Sequence, residues 1–254
     1  MTSTSLDRPV RRRSASVALL LWGAAVLSTF VASAPAAAAT PRQRYSETFT
    51  TTRPGAPSGA YLHVVWLGER PGEKPHSITE DAFSLAPGAT FDFSVPAVCS
   101  ATDAALTAQG ATACPKASEV ATGEIDLDRG RAADGLPRII KTQVTTFDGG
   151  PGQLISLAVT MNTTSPIRTI DRSTVTGTSI VSANPPLPGY GPPDKFIAVK
   201  RDVIHFLAIS KGGHGFLTTP RTCPSSGAWV NRGVFRYHGG VTTLATSRSR
   251  CRSG

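Results

Sequence analysis

Turn clusters recur along this chain at short intervals, and they limit its folding more than any other feature. Arg53–Gly59 (RPGAPSG), Arg70–His76 (RPGEKPH), Asp128–Pro137 (DRGRAADGLP), Asp148–Gly152 (DGGPG), Asn184–Asp194 (NPPLPGYGPPD), Lys211–Gly215 (KGGHG) and His238–Gly240 (HGG) are such breaks. Proline lacks a backbone donor and glycine reaches positive φ, so none of these stretches continues a helix or a strand. The segments between them are too short for long helices and rich in β-branched residues. Tyr45–Thr52, Ala60–Gly68, Arg138–Phe147, Gln153–Met161, Ile167–Ser182, Ala228–Tyr237 and Val241–Ser247 read as strands. Phe91, Phe93 and Val95 alternate with Asp92 and Ser94, which is strand spacing. Phe196–Ile209 reads as two strands split at Arg201-Asp202, and Gly177 is a bend within Ile167–Ser182. Arg138–Phe147 with Gln153–Met161, and Ala228–Tyr237 with Val241–Ser247, form hairpins. The fold class is therefore all-β: an antiparallel β-sandwich with one short disulfide-stapled helix that plugs one end.

That helix lies in Val98–Gly123. Ser100 and Asp103 have the spacing of a capping box, Ala101, Ala104, Ala105 and Leu106 favour helix, and Gly110 stops it. Two or three turns are marginal alone. Cys99 and Cys114 bracket them. Four cysteines permit three pairings. Proximity favours Cys99–Cys114 and Cys223–Cys251, and the wide spacing without CxxC reads as structural rather than redox-active.

The address is written at the start. Arg8, Arg11, Arg12 and Arg13 precede an apolar run, Val17–Val31, and Ala37-Ala38-Ala39 fits a cleavage site. Residues 1–39 read as a secretory signal peptide. Residues 40–254 read as a single β-sandwich domain, with a possible division into two lobes near 130–137. The expected localisation is secreted, extracellular or associated with the cell envelope, and the four cysteines suit an oxidising compartment. No stable transmembrane span is expected in the mature chain.

Without the leader the chain carries 22 basic and 16 acidic side chains, a net +6. A basic surface suits an anionic envelope polymer or lipid head groups. Nucleic acid is not expected as a partner, since no nucleic-acid module is recognisable.

Several segments resemble a family of uncharacterised exported actinobacterial proteins. They are Arg53–Gly59, then Phe91–Asp103 (FDFSVPAVCSATD), then Gly110 with Cys114-Pro115 and Ser118. Pro185–Gly189 (PPLPG) and Thr219-Pro220 with Thr222–Trp229 (TCPSSGAW) complete them. Val120-Ala121-Thr122-Gly123 stands where a Val-Gly-x-Gly turn would fit the resemblance. The resemblance implies export and a disulfide-held β fold, with no assigned activity and no catalytic residues.

Motifs for catalysis are missing: no H-E-x-x-H, G-x-S-x-G or Ser-x-x-Lys occurs. No cofactor is implied. Glu124, Asp126 and Asp128 alternate and share a strand face, like the opening of a Ca²⁺ loop, but Gly130 occupies the third ligand position. An ordinary solvated strand face is the simpler account. His63, His76, His205, His214 and His238 never form a close ligand pair. Trp66, Trp229, Tyr61, Tyr190 and Tyr237 could offer an aromatic platform, and Tyr190 in its proline loop is the best exposed ligand-binding candidate. Arg248, Arg250 and Arg252 alternate beside Cys251 as an anion-binding strip or a solvated tail.

The sequence thus leads to a non-enzymatic exported β-sandwich that binds or scaffolds an envelope partner. The alternatives are a hydrolase of an envelope polymer using Glu124 or Asp126, and a soluble carrier of an apolar small molecule. The carrier reading follows from apolar residues on both faces of 60–68.

Overall fold

The computed structural model describes residues 40–252; the signal-peptide expectation at 1–39 lies outside the described residues. In chain order the strands are β1 (Arg42–Phe49), β2 (Pro57–Ser58), β3 (Ala60–Leu67), β4 (Ile78–Ser84) and β5 (Thr90–Phe91). Helix α1 (Asp103–Gln109) precedes β6 (Glu119–Asp128), β7 (Ile139–Asp148), β8 (Gln153–Thr160), β9 (Arg168–Thr176), β10 (Ser179–Ala183) and β11 (Ala198–Phe206). The short β12 (Ser210–Lys211), β13 (His214–Gly215) and β14 (Leu217–Thr218) follow, then β15 (Ala228–Tyr237) and β16 (Thr242–Arg250).

Eleven of these strands form one antiparallel sheet in the order β1-β3-β11-β6-β7-β8-β9-β10-β4-β15-β16. The sheet rolls until its two edges meet, so both layers of the sandwich belong to one sheet. An odd number of antiparallel strands brings the edge strands together parallel. No backbone ladder joins them. Ser247 Oγ accepts from Glu47 N at 2.9 Å and donates to Glu47 O at 3.0 Å, and Ser249 Oγ accepts from Phe49 N at 2.9 Å. Asn231 Nδ2 on β15 also reaches Glu47 O at 2.6 Å. Side chains thus satisfy edge groups that would otherwise template aggregation.

Alternation sets what faces inward. On β3, Leu62, Val64 and Trp66 are buried, while Tyr61 is exposed. One end of the interior is packed with aromatics. There β14 pairs with both β2 and β5, and Phe91, Phe93, Phe206 and Phe216 meet edge-on or tilted with centroids 5.6–6.5 Å apart. The Phe91–Val95 alternation does not extend β5 beyond Phe91. Instead Asp92 Oδ1 accepts from Ser94 N and Oγ, a local turn that competes with the ladder.

Aromatic packing fills this end, and the helix lies elsewhere. Leu106, Cys99 and Cys114 pack on the outer face of β7 and β8, against Phe147, Ile155 and Leu157. Strand β8 is therefore buried on both faces, with Leu154 turned to the interior and Ile155 to the helix. The helix N-cap is Thr102, whose hydroxyl accepts from Ala105 N, rather than Ser100. Gly110 closes the helix at φ 68°. Two outward arginines of β9 hold its ends: Arg168 donates to Thr107 O at 2.8 Å, and Arg172 pairs with Asp103 at 2.7 Å.

Cys99–Cys114 and Cys223–Cys251 are both bridged, across 15 and 28 residues. The first anchors the helix to the wall. The second ties the end of β16 to the segment before β15.

The opposite end of the rolled sheet is crossed by the proline loop. Residues 184–197 run from β10, eighth in the sheet, to β11, third, so they must traverse the mouth. Three contacts fix this strap. Lys74 Nζ donates to Asp194 O and Phe196 O, Phe196 stacks on His238 at 4.2 Å, and Tyr190 reaches the β6–β7 loop. That loop, 129–137, joins two neighbouring strands of the same sheet. Strand β11 is continuous through Arg201-Asp202; a bulge between Val199 and Arg201 replaces the expected break and keeps both neighbours paired.

Candidate functional site

The outer face of β15, β16 and β1 carries six exposed arginines. Arg232 and Arg236 project from β15, Arg248 and Arg250 from β16, and Arg42 and Arg44 from β1 across the seam. Alternation sends their neighbours Asn231, Ser247, Ser249 and Glu47 inward, which leaves the arginines together outside. Cross-strand register places Arg232 opposite Thr246 and Arg248 opposite Val230. Outward residues on one strand recur about every 6.8 Å and adjacent strands lie about 4.8 Å apart, so the guanidinium groups form a grid rather than a line.

This grid has little internal neutralisation. Glu47 is the only carboxylate of the three strands, and it points inward. Arg236 pairs with Glu80 of β4 at 3.0 Å. Arg42 donates to the carbonyls of Gly68 and Glu69 at 2.9 and 3.0 Å. Among the described residues, Arg44, Arg232, Arg248 and Arg250 have no acidic partner. Leu244, 64% exposed, stands among them. The Arg248/Arg250 alternation is visible in the sequence. Their union with Arg232, Arg236, Arg42 and Arg44 is not, because strands about 200 residues apart in sequence create it. Arg252 lies beyond β16, its backbone N held by Thr52 O at 2.9 Å.

The other residues singled out by the sequence take structural places. Asp128, fully buried, receives Arg138 through two nitrogens at 2.9 and 3.0 Å. Glu124 and Asp126 share Arg201 at 3.2 and 3.7 Å. The three alternating carboxylates thus neutralise arginines, and among the described residues no three His, Cys, Asp or Glu side chains converge to hold a metal. Tyr190 is engaged, not free: its hydroxyl donates to Asp134, and Arg131 and Arg129 lie 4.4 and 5.5 Å from its ring centroid. Trp66 and Trp229 are core residues, and Tyr237 donates to Gln43 Oε1 at 2.9 Å in the interior. Tyr61 stacks on His205 at 4.3 Å on the outer wall.

The interior holds a second polar group that the sequence does not advertise. Glu47, Asp81, Asp171 and Asp202 face inward from β1, β4, β9 and β11, and none forms an ion pair among the described residues. Burial pushes the carboxyls of Glu47 and Asp81 up to about 7 and that of Asp202 up to about 8. The Tyr45 hydroxyl works against the rise at Glu47, and the Asn184 amide at Asp81. The charges of Asp171 and Glu80 add to the rise at Asp81, and that of Asp81 adds to the rise at Asp202. Asp171 is raised by burial and moderated by Ser173.

Two hollows mark the surface of the described residues. One of about 540 Å³ lies between Val95–Ala97, Lys116 and Ile209–Lys211; one of about 280 Å³ lies between Arg42, Leu67–Glu69 and His76. Each has one carboxylate, Glu119 or Glu69. No helix among the described residues is long and apolar enough to cross a membrane. Neither a family model, nor a curated protein, nor a solved structure matches the chain.

Proposed function

We propose that this is an exported, non-enzymatic β protein that binds an anionic polymer of the cell envelope through its arginine grid. The observation that carries this reading is the six-arginine outer face of β15, β16 and β1, with a single ion pair to a carboxylate. Arginine's planar fork matches phosphate and carboxylate oxygens two at a time, so a grid of such forks favours a polymer with repeated anionic groups. The two bridges suit an oxidising compartment and a fold that must persist outside the cell. The resemblance to exported actinobacterial proteins accords with this.

The hydrolase reading loses support because Glu124 and Asp126 are committed to Arg201. The apolar-carrier reading loses support because Leu62, Val64 and Trp66 pack into a filled core.

The test uses inorganic polyphosphate as the probe in a calorimetric titration of the purified chain. Saturable binding that weakens steeply with salt is expected, since surface charge is screened over about 8–10 Å at moderate ionic strength. Combined replacement Arg232→Ser, Arg248→Ser and Arg250→Ser should weaken it by about tenfold or more. Equal binding by the triple variant would sink the proposal.

A further inference from the structure

The outer face that carries the arginines does not end at β1. It continues onto β3 and β11, and strand register fixes which side chains stand beside each other. Ser247 and Ser249 of β16 bond the backbone of Glu47 and Phe49, so Arg248 is level with Thr48 across the seam. Thr48 lies opposite Tyr61 of β3, and Tyr61 lies opposite His205 of β11. One outward row therefore reads Arg248, Thr48, Tyr61, His205. In the row beside it, Ser46 lies opposite His63, and His63 opposite Val203.

Tyr61 is the aromatic that the fold leaves open. It is 51% exposed, whereas Trp66, Trp229 and Tyr237 are buried. Its ring lies parallel to that of His205, 12° between the planes and 4.3 Å between the centroids. The two residues sit on adjacent strands, so the stack runs across the strands. The second face of Tyr61 accordingly looks over β1 toward β16. The floor there is Thr48 and Ser46, two short hydroxyl side chains. Arg248 stands beyond them, exposed and held by protein through one long bond, 3.4 Å to the Ser226 carbonyl. A cross-strand aromatic pair stabilises a sheet by itself. The face turned to His205 serves that role and leaves the other face unused.

On the far side of His205 the charge reverses. Glu124 and Asp126 face outward on β6 and hold Arg201. An anionic chain is drawn to the β1 side of the row and turned away from the β6 side.

An open aromatic face, a floor of hydroxyls and an unneutralised guanidinium in one row suit a particular repeat unit, an acidic sugar. The C–H face of a sugar ring is apolar and stacks on an aromatic ring. Its edge carries hydroxyls that bond threonine and serine, and its acid group takes the arginine fork. A bare phosphate chain has the charge but no face to present to Tyr61. We infer that the anionic polymer held by the arginine grid is a linear polysaccharide with acid groups on its sugar rings. One ring stacks on Tyr61 above Thr48, with its acid group on Arg248. This rests on the grid reading and names the class of polymer that the grid takes.

Calorimetric titration with two polyanions tests the assignment. Polygalacturonate carries one carboxylate per sugar ring, and inorganic polyphosphate carries charge without rings. The wild-type chain should bind both saturably. Tyr61→Ser, which removes the ring, should weaken polygalacturonate binding by about tenfold or more and polyphosphate binding by less than about twofold. Tyr61→Phe keeps the stacking face and should bind both polymers as the wild type does. Thr48→Phe covers the free face of Tyr61 without deleting anything, so it should reproduce the selective loss even if Tyr61→Ser is poorly folded. A wild-type chain that binds polyphosphate but not polygalacturonate overturns the inference and leaves the grid standing. Equal effects of Tyr61→Ser and Thr48→Phe on the two polymers, or no effect on either, overturn it in the same way. Binding of neither polymer removes the grid reading and this inference with it.

Discussion

Ser247 both donates to and accepts from the backbone of Glu47, 200 residues away, and so closes the rolled sheet at its weakest line. Backbone ladders hold the other strand neighbours. Here a hydroxyl carries the load, helped by Ser249 and Asn231. Ser247→Ala leaves the buried Glu47 N–H without a partner, because Asn231 serves only the carbonyl. The expected loss is about 1–3 kcal/mol of folding stability, measured by urea unfolding. An unchanged midpoint would mean that the seam is held by packing alone.

Stability should fall as pH rises from about 4 to 8. The carboxyls of Glu47, Asp81 and Asp202 are raised in the folded chain to about 7, 7 and 8, whereas the unfolded chain gives up these protons near pH 4. Between those limits the folded state binds more protons, so the free energy of unfolding decreases with pH. The contribution is fully present below the unfolded values and gone above about pH 8. Burial is the main cause at both aspartates, and the charge of Asp81 adds to the rise at Asp202. Asp194 acts in the other direction. Burial opposes its ionisation, but donors from Ser77 and Phe196 and the charge of Lys74 leave it lowered, so acid below pH 4 releases the strap. Melting temperatures across pH 3–9 should peak on the acidic side of neutrality, and Asp202→Asn should flatten the alkaline limb. A profile that rises from pH 5 to 8 would contradict this.

Local chemistry made much of this fold readable. Hairpins at Asp148–Gly152 and His238–Gly240 follow from turn residues between alternating segments, and the helix around Leu106 from its alanines and Gly110. The arginine grid and the inward-facing carboxyls were not readable, for one reason. Both depend on which strands become neighbours or opposites after the sheet rolls, and β1 beside β16 has no local signal. The Phe91–Val95 alternation shows the converse failure. Its period suits a strand, yet Asp92 captures Ser94 and turns the chain instead. Thr102 in place of Ser100 at the helix cap is the same kind of contest between two adjacent capping residues.

Packing, not the ion pair, fixes the helix to the wall. Leu106 is fully buried between the first disulfide and β8, whereas Arg172 and Asp103 are partly exposed. Leu106→Ala should cost about 2–5 kcal/mol, and Arg172→Ala about 1 kcal/mol or less. Chemical denaturation of the two single variants decides the order, and a larger loss for Arg172→Ala would reverse it.

The first bridge should matter through the unfolded chain as well as the folded one. Closing the 15-residue span between Cys99 and Cys114 is worth about 3 kcal/mol in the chain-entropy account. Replacing both cysteines by serine removes that restraint and places hydroxyls in a pocket formed by Leu106, Phe147 and Leu157. A loss of at least about 3 kcal/mol is expected, read by thermal unfolding under non-reducing conditions. Equal stability of the double variant would mean that the helix docks unaided.

Gly130 sets how the proline strap meets the sheet. It adopts φ 91°, a conformation that side chains resist, and an added Cβ would collide with the Tyr190 carbonyl oxygen. That close approach lets Tyr190 N donate to Arg129 O at 2.7 Å and seats the ring against Arg131. Gly130→Ala therefore meets both backbone strain and a clash, about 1–3 kcal/mol of local destabilisation. Tyr190→Phe removes only the hydroxyl bond to Asp134 and keeps the ring against the two guanidinium groups, so its effect should be smaller. Amide hydrogen exchange along residues 184–197 separates the two. Gly130→Ala should accelerate exchange at Gly189 and Tyr190 far more than Tyr190→Phe does, with the β7–β8 hairpin unchanged. Equal protection in both variants would show that Lys74 and Asp194 alone hold the strap across the mouth.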